Sequence, residues 1–126
     1  SITHYFILFA DLKNKVLNNQ IIKNLKKHSS KEKYLLSSVK SNHQKFEEKR
    51  YWRGPVWINC NWIIYQGLKN KNIKFAKQIK RKTINLVKQK GFNEYFSCKT
   101  GKGFGATNFS WTAALFLDLI LENKND

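Results

Sequence analysis

Two stretches of this chain are apolar on nearly every side, and a helix of that kind must be covered from several directions at once. The first runs from Val56 to Lys69. There Val56, Cys60, Ile63, Ile64, Gly67 and Leu68 recur at helical spacing, while Trp57, Trp62 and Tyr65 make the other face apolar too. The second runs from Phe109 to Glu122 and holds Trp111, Ala113, Ala114, Leu115, Phe116, Leu117, Leu119, Ile120 and Leu121. Both read as inner helices. Pro55 suits the first helical position of the former, and Asn108 or Ser110 the cap of the latter. Each is preceded by a one-sided segment. From about Asn14 to Lys27, the residues Val16, Leu17, Ile21, Ile22 and Leu25 form a single stripe. From about Asn72 to Lys90, the stripe is Ile73, Ala76, Ile79, Thr83, Leu86 and Val87, and Gly91 is a fitting stop. The order outer, inner, outer, inner predicts an all-α class and a layered helical toroid more than a four-helix bundle. No pattern of short alternating strands is visible.

The connections are long. Residues 28–50 lack periodicity and hold three of the eight acids, Glu32, Glu47 and Glu48; they read as a loop pinned to the core by Leu35, Leu36 and Val39. Loops of that length inside compact domains are uncommon and often functional. Residues 91–108 contain Gly91, Gly101, Gly103 and Gly105 and read as a second, turn-rich loop.

The formal charge of +16 invites a nucleic-acid reading, since clustered cations gain affinity by releasing counterions from phosphates. Lys supplies 21 of the 24 cations, however, and no run of lysines is longer than a pair. Arg is the better fork for phosphates and guanine edges. Asn (14) and Ile (11) are high together with Lys, as a codon bias toward A and T would produce. A solvated lysine surface is therefore expected, with no nucleic acid as partner. Cys60 and Cys98 stand 38 positions apart without a C-x-x-C pair, and His4, His28 and His43 lack metal-ligand spacing. No metal and no cofactor are expected, and the isolated thiols suggest a reducing, cytoplasmic setting. The run Tyr5–Ala10 is too short to span a bilayer, so no membrane partner is expected. The chain begins at Ser1 and contains no Met, which suggests a start that is either trimmed or not the true start of the gene product.

Two clusters carry chemistry. Between Glu48 and Asp118 the only carboxylate is Glu94, set in Phe92-Asn93-Glu94-Tyr95-Phe96. A lone acid among aromatics should be partly desolvated, a setting that favours proton transfer. The bland alternative is a solvated glutamate paired with a nearby lysine such as Lys99. The second cluster is Arg50-Tyr51-Trp52-Arg53-Gly54-Pro55-Val56-Trp57-Ile58-Asn59. Its aromatic and amide groups suit a sugar pocket, or else a packing knot at a helix entrance.

The segment Tyr51-Trp52-Arg53-Gly54-Pro55-Val56-Trp57-Ile58-Asn59, followed by Asn61-Trp62, resembles a signature of glycoside hydrolase family 63. Gly91-Phe92-Asn93-Glu94-Tyr95-Phe96 resembles a second, Thr100-Gly101 with Gly103 the loop that follows, and Phe109–Leu115 with Asp118-Leu119 the closing inner helix. Within the family the pattern is most similar to bacterial mannosylglycerate and glucosylglycerate hydrolases. The resemblance implies a partial (α/α)6 barrel in which residues 1–126 form about the last two helical hairpins. It also implies inverting hydrolysis of a small α-glycoside. By the same resemblance Glu94 is the general base, Tyr51, Trp52 and Trp57 line the sugar subsite, and the general acid is an Asp earlier in the relatives' chains. Arg53, Asn59 and Asn61 match the motif without an assigned role. Relatives usually carry Asp-Pro where this chain has Ser97-Cys98, and none of Asp11, Glu32, Glu47 or Glu48 stands in a context matching the acid. The expected partners are thus the small glycoside and the remainder of the barrel. The competing reading is a non-catalytic remnant or sugar-binding module that lacks the acid.

Overall fold

The computed structural model describes residues 1–10 and 12–122. The chain opens with a 3-10 helix, Ile2–Leu8, and continues through α1 (Lys15–Ser29), α2 (Ile58–Leu68), α3 (Ile73–Lys90) and α4 (Ser110–Leu121). Asn14 and Asn72 start α1 and α3, each side chain accepting the N–H three residues on (Leu17, 3.0 Å; Phe75, 3.1 Å). Such a cap satisfies one of the donors a helix N-terminus leaves free. α3 ends at Gly91, where φ is +82°, a backbone region glycine enters without steric cost.

α2 is the central element and packs on the 3-10 helix, α3 and α4. Every residue from Ile58 to Leu68 is at least partly buried, as its all-round apolarity requires. The 3-10 helix crosses it at Gly67, where a Cβ would stand 2.6 Å from the Leu8 carbonyl carbon and the Phe9 nitrogen. Asn61 is the polar rivet of this helix. Its amide donates to the Leu35 carbonyl and the Thr83 hydroxyl (both 3.1 Å) and accepts the Leu36 N–H (3.2 Å), pinning the 28–50 loop and α3 to α2. Leu35 and Leu36 are buried as expected, and Val39 is partly buried. The loop also buries Glu32, Ser37 and Ser38.

Four details differ from the sequence-based expectation. Pro55 is not at the first helical position: the chain stays extended through Val56, which bridges Ser37 on one side and Phe96 on the other, and the helix starts at Ile58. Short strands do occur, because Tyr95–Phe96 (β1) pairs antiparallel with Gly103–Phe104 (β2). Neither Asn108 nor Ser110 caps α4. The N-cap is Phe109, Asn108 turns the chain at φ +53°, and Ser110 is already helical. Val16 and Leu17, placed on the buried stripe of α1, are exposed, as is Ile73 on that of α3, while Phe75 and Ile84 lie in the core.

α4 is apolar but largely uncovered. Only Thr112 and Leu119 are buried, whereas Trp111, Leu117 and Leu121 are 53–55% exposed. Cys60 and Cys98 are separate buried thiols, and burial pushes both up to about 12. Among the described residues no helix is long and apolar enough to cross a membrane, and no three His, Cys, Asp or Glu gather as a metal site.

Candidate active site

The extended Val56 segment decides where the site lies. Its backbone exchanges both hydrogen bonds with Phe96 (2.7 and 2.9 Å), which sets the aromatic loop before α2 beside the hairpin that carries Glu94. Trp57 is the floor of this junction, with 3% of its surface exposed. Trp52 stacks on it at 4.4 Å with 12° between the planes, Tyr95 stacks on it at 5.0 Å, and Tyr51 meets it edge-on at 4.7 Å. The Trp57 indole N–H donates to the Tyr51 carbonyl (2.9 Å), so the floor residue also fixes the loop above it. Tyr51 and Trp52 keep 47% and 46% exposure. These two present aromatic surface to solvent; Trp57 holds them there.

Glu94 lies against this cluster, partly exposed. Tyr51 OH donates to its Oε1 at 2.9 Å, and the Ala106 N–H donates to its Oε2 at 3.0 Å. The Glu94 N–H in turn donates to the Ala106 carbonyl (2.9 Å). The carboxylate is therefore aimed by two donors from different segments, and no lysine pairs with it among the described residues. The bond to Glu94, followed by burial, pushes the Tyr51 phenol above its ordinary value and keeps it a donor. Gly105 makes the seat possible: its φ is +71°, and a Cβ there would stand 2.4 Å from Glu94 Oε2. A shallow depression beside the carboxylate is walled by Trp57, Asn59, Phe109 and Trp111.

The described upstream acids are otherwise engaged. Glu32 is buried, 3.3 Å from His28 Nε2 and hydrogen-bonded to Ser37. Burial alone would raise its pKa, but the bonds from His28 and from the Ser37 hydroxyl and N–H outweigh it and lower the value. The Arg53 bond, against some desolvation and with help from Arg50, holds Glu47 below the usual carboxylate range. Glu48 takes the Ser97 hydroxyl. Asp11 lies outside the described residues. A general acid needs a raised pKa, which neither Glu32 nor Glu47 has.

Tyr51, Trp52, Trp57 and Glu94 are thus brought together from 43 positions apart. Arg53 pairs with Glu47, Asn61 is a core rivet, and the Asn59 amide oxygen accepts the Cys60 N–H (2.8 Å). Sequence reasoning missed Ala106, Tyr95 and the Gly105 seat. Gly105 was visible as a turn glycine, but nothing in its spacing says which side chain lies against it.

An exposed aromatic surface and a doubly aimed carboxylate thus meet at the entrance to the central helix. Residues 1–112 match the mannosylglycerate hydrolase MGH1-like glycoside hydrolase domain. The chain belongs to this glycoside hydrolase family. It is 38% identical over 111 residues to a mannosylglycerate hydrolase of Thermus thermophilus, covering 87% of this chain and 27% of that one. It is 45% identical over 78 residues to a mannosylglycerate hydrolase of Rubrobacter radiotolerans, covering 61% and 18%. The fold superposes on the family 63 mannosylglycerate hydrolase from Thermus thermophilus solved with glucose, with a TM-score of 0.79 and 36% identity, over 88% of this chain and 29% of that one. The helices described above accordingly belong to an (α/α)6 barrel, and the chain spans less than a third of these relatives.

Proposed function

We propose that residues 1–126 are the C-terminal segment of an (α/α)6 glycoside hydrolase domain, about its last two hairpins. In this reading Glu94 is the general base for inverting hydrolysis of mannosylglycerate or glucosylglycerate. The mannoside is favoured, because both relatives above are named for it. The observation that carries the reading is the clamped Glu94 carboxylate beside exposed Tyr51 and Trp52.

The division of labour follows. Tyr51 and Trp52 offer faces and edges to the sugar ring, with Trp57 beneath them as support. Tyr51 and Ala106 each occupy one oxygen of Glu94 and hold its orientation. Glu94 takes a proton from water as that water attacks the anomeric carbon from the face opposite the leaving glycerate oxygen. An acid from the remainder of the barrel protonates that oxygen. Two carboxyl groups in such a pair stand roughly 6.5–9.5 Å apart, leaving room for the water. Because the described upstream acids of this chain are committed elsewhere, the partners are the small glycoside and the rest of the barrel.

The test joins this chain to the preceding part of its domain and follows mannosylglycerate by proton NMR. β-Mannose is expected as the first product from the α-mannoside. First-formed α-mannose would refute the inverting assignment. Sugar binding without turnover would favour the non-catalytic module instead.

A further inference from the structure

The Tyr51–Glu94 hydrogen bond has a counterpart at the far end of the same two segments. Glu48, three residues before Tyr51, accepts a hydrogen bond from the hydroxyl of Ser97, three residues after Glu94. Ser97 is buried, and its oxygen also accepts the N–H groups of Lys99 (3.1 Å) and Thr100 (3.0 Å). Its own N–H donates to the Lys102 carbonyl (2.8 Å), and its carbonyl accepts the Gly101 N–H (3.0 Å). Ser97 is therefore the hub of the turn joining β1 to β2, and the chain leaving β2 supplies the Ala106 N–H that holds Glu94 Oε2.

The segment 47–54 is bonded to itself. The Glu47 N–H donates to the Arg53 carbonyl (2.8 Å), the Arg50 N–H to the Glu47 carbonyl (3.1 Å) and the Arg53 N–H to the Arg50 carbonyl (2.6 Å). The Glu47 carboxylate adds ion pairs to both arginines, and a Cβ on Gly54 would stand 2.3 Å from the Glu47 carbonyl oxygen. A loop closed in this way moves as a unit, so a displacement at Glu48 is carried to Tyr51.

We propose that Glu48 is a positioning residue for Glu94. By holding Ser97 it sets the Tyr51 loop against the Glu94 hairpin, and with that the Tyr51–Glu94 hydrogen bond. The inference rests on the reading of Glu94 as the base; Glu48 itself touches neither the substrate nor the reacting atoms.

The experiment uses the complete domain and mannosylglycerate, with kcat, KM and Tm measured for Glu48→Ala, Glu48→Gln, Ser97→Ala, Tyr51→Phe and the Glu48→Ala/Tyr51→Phe double variant. Glu48→Ala should lower kcat by about 10- to 100-fold, the scale of a small misplacement of a catalytic group, with KM within about twofold. Glu48→Gln keeps an oxygen that accepts from Ser97 and should restore most of the rate. The double variant should be no worse than the poorer single one, since both break one linkage. Normal kcat in Glu48→Ala at any Tm, multiplying losses in the double variant, or no rescue by Gln would each overturn the proposal. If Glu48→Ala fails to fold, Ser97→Ala cuts the same bond from the other side and must show the same kcat loss. Glu94→Gln, run in parallel, separates the two claims. Retained turnover there removes the base and this inference with it, whereas lost turnover there beside a normal Glu48→Ala removes the positioning role alone.

Discussion

Each oxygen of Glu94 has one donor, and the two donors differ in how they fail. Ala106 is a backbone group and is lost only by moving the turn. Gly105→Ala does that: the added methyl meets Glu94 Oε2 at 2.4 Å at a φ of +71°, where a side chain costs about 1–2 kcal/mol. Turnover should fall by about 100-fold, the scale of a roughly 1 Å displacement, with Tm only modestly lower; unchanged kcat would show that the seat does not matter. Trp52 differs because it is half-exposed and rests on Trp57. In the proposed function Trp52 would meet the sugar ring in ground and transition states alike, so Trp52→Ala should raise KM and leave kcat nearly unchanged. A rise of about tenfold corresponds to about 1.4 kcal/mol. If neither constant moves, Trp52 is a packing residue.

At the scale of elements, two buried polar groups fasten the long loop that leads to the site. Asn61→Ala strands the Leu36 N–H, the Leu35 carbonyl and the Thr83 hydroxyl, at about 1–3 kcal/mol for each group left buried and unpaired. A clear drop in the urea midpoint is expected, and a shift within error would mean that the loop relaxes to other partners. Glu32 fastens the same loop through Ser37 and Ser41. Its folded pKa is lowered, so its contribution is complete above the ordinary carboxylate range and is lost as pH falls through and below it. Glu32→Gln should lower stability at pH 7 and flatten the acid-side decline; an unaltered acid profile would contradict this. The four helices were legible because each apolar stripe is continuous, and their ends fall within about two residues of the periodic pattern. The β1–β2 pair was not, since two-residue strands are too short for alternation to register. Pro55 suits a first helical position, but the bridge from Val56 to Phe96 holds the chain extended past it. The exposure of α4 was hidden for a different reason: periodicity reports which faces are apolar, not what covers them. Of the site, residue types and motif order were visible, but the contact between Tyr51 and Glu94 depends on the hairpin's placement.

For the molecule as a whole, α2 is enclosed and α4 is not. Trp111, Leu117 and Leu121 leave an apolar face of the kind that marks an interaction surface or an aggregation liability. Residues 1–126 expressed alone should self-associate and bind a hydrophobic dye, and co-expression with the preceding part of the domain should remove both effects. A monodisperse monomer with a sharp cooperative melt would refute this. In the proposed function the same division would govern catalysis, with the base on this chain and the acid on the rest of the barrel. The role of Glu94 is therefore measured in the complete domain, as turnover of mannosylglycerate by Glu94→Gln together with its melting temperature. Gln keeps the shape and can still accept from Tyr51, but it cannot take a proton from water. If Glu94 is the base, kcat falls by about 10²–10⁴ with KM and Tm nearly unchanged; near-normal turnover would rule Glu94 out.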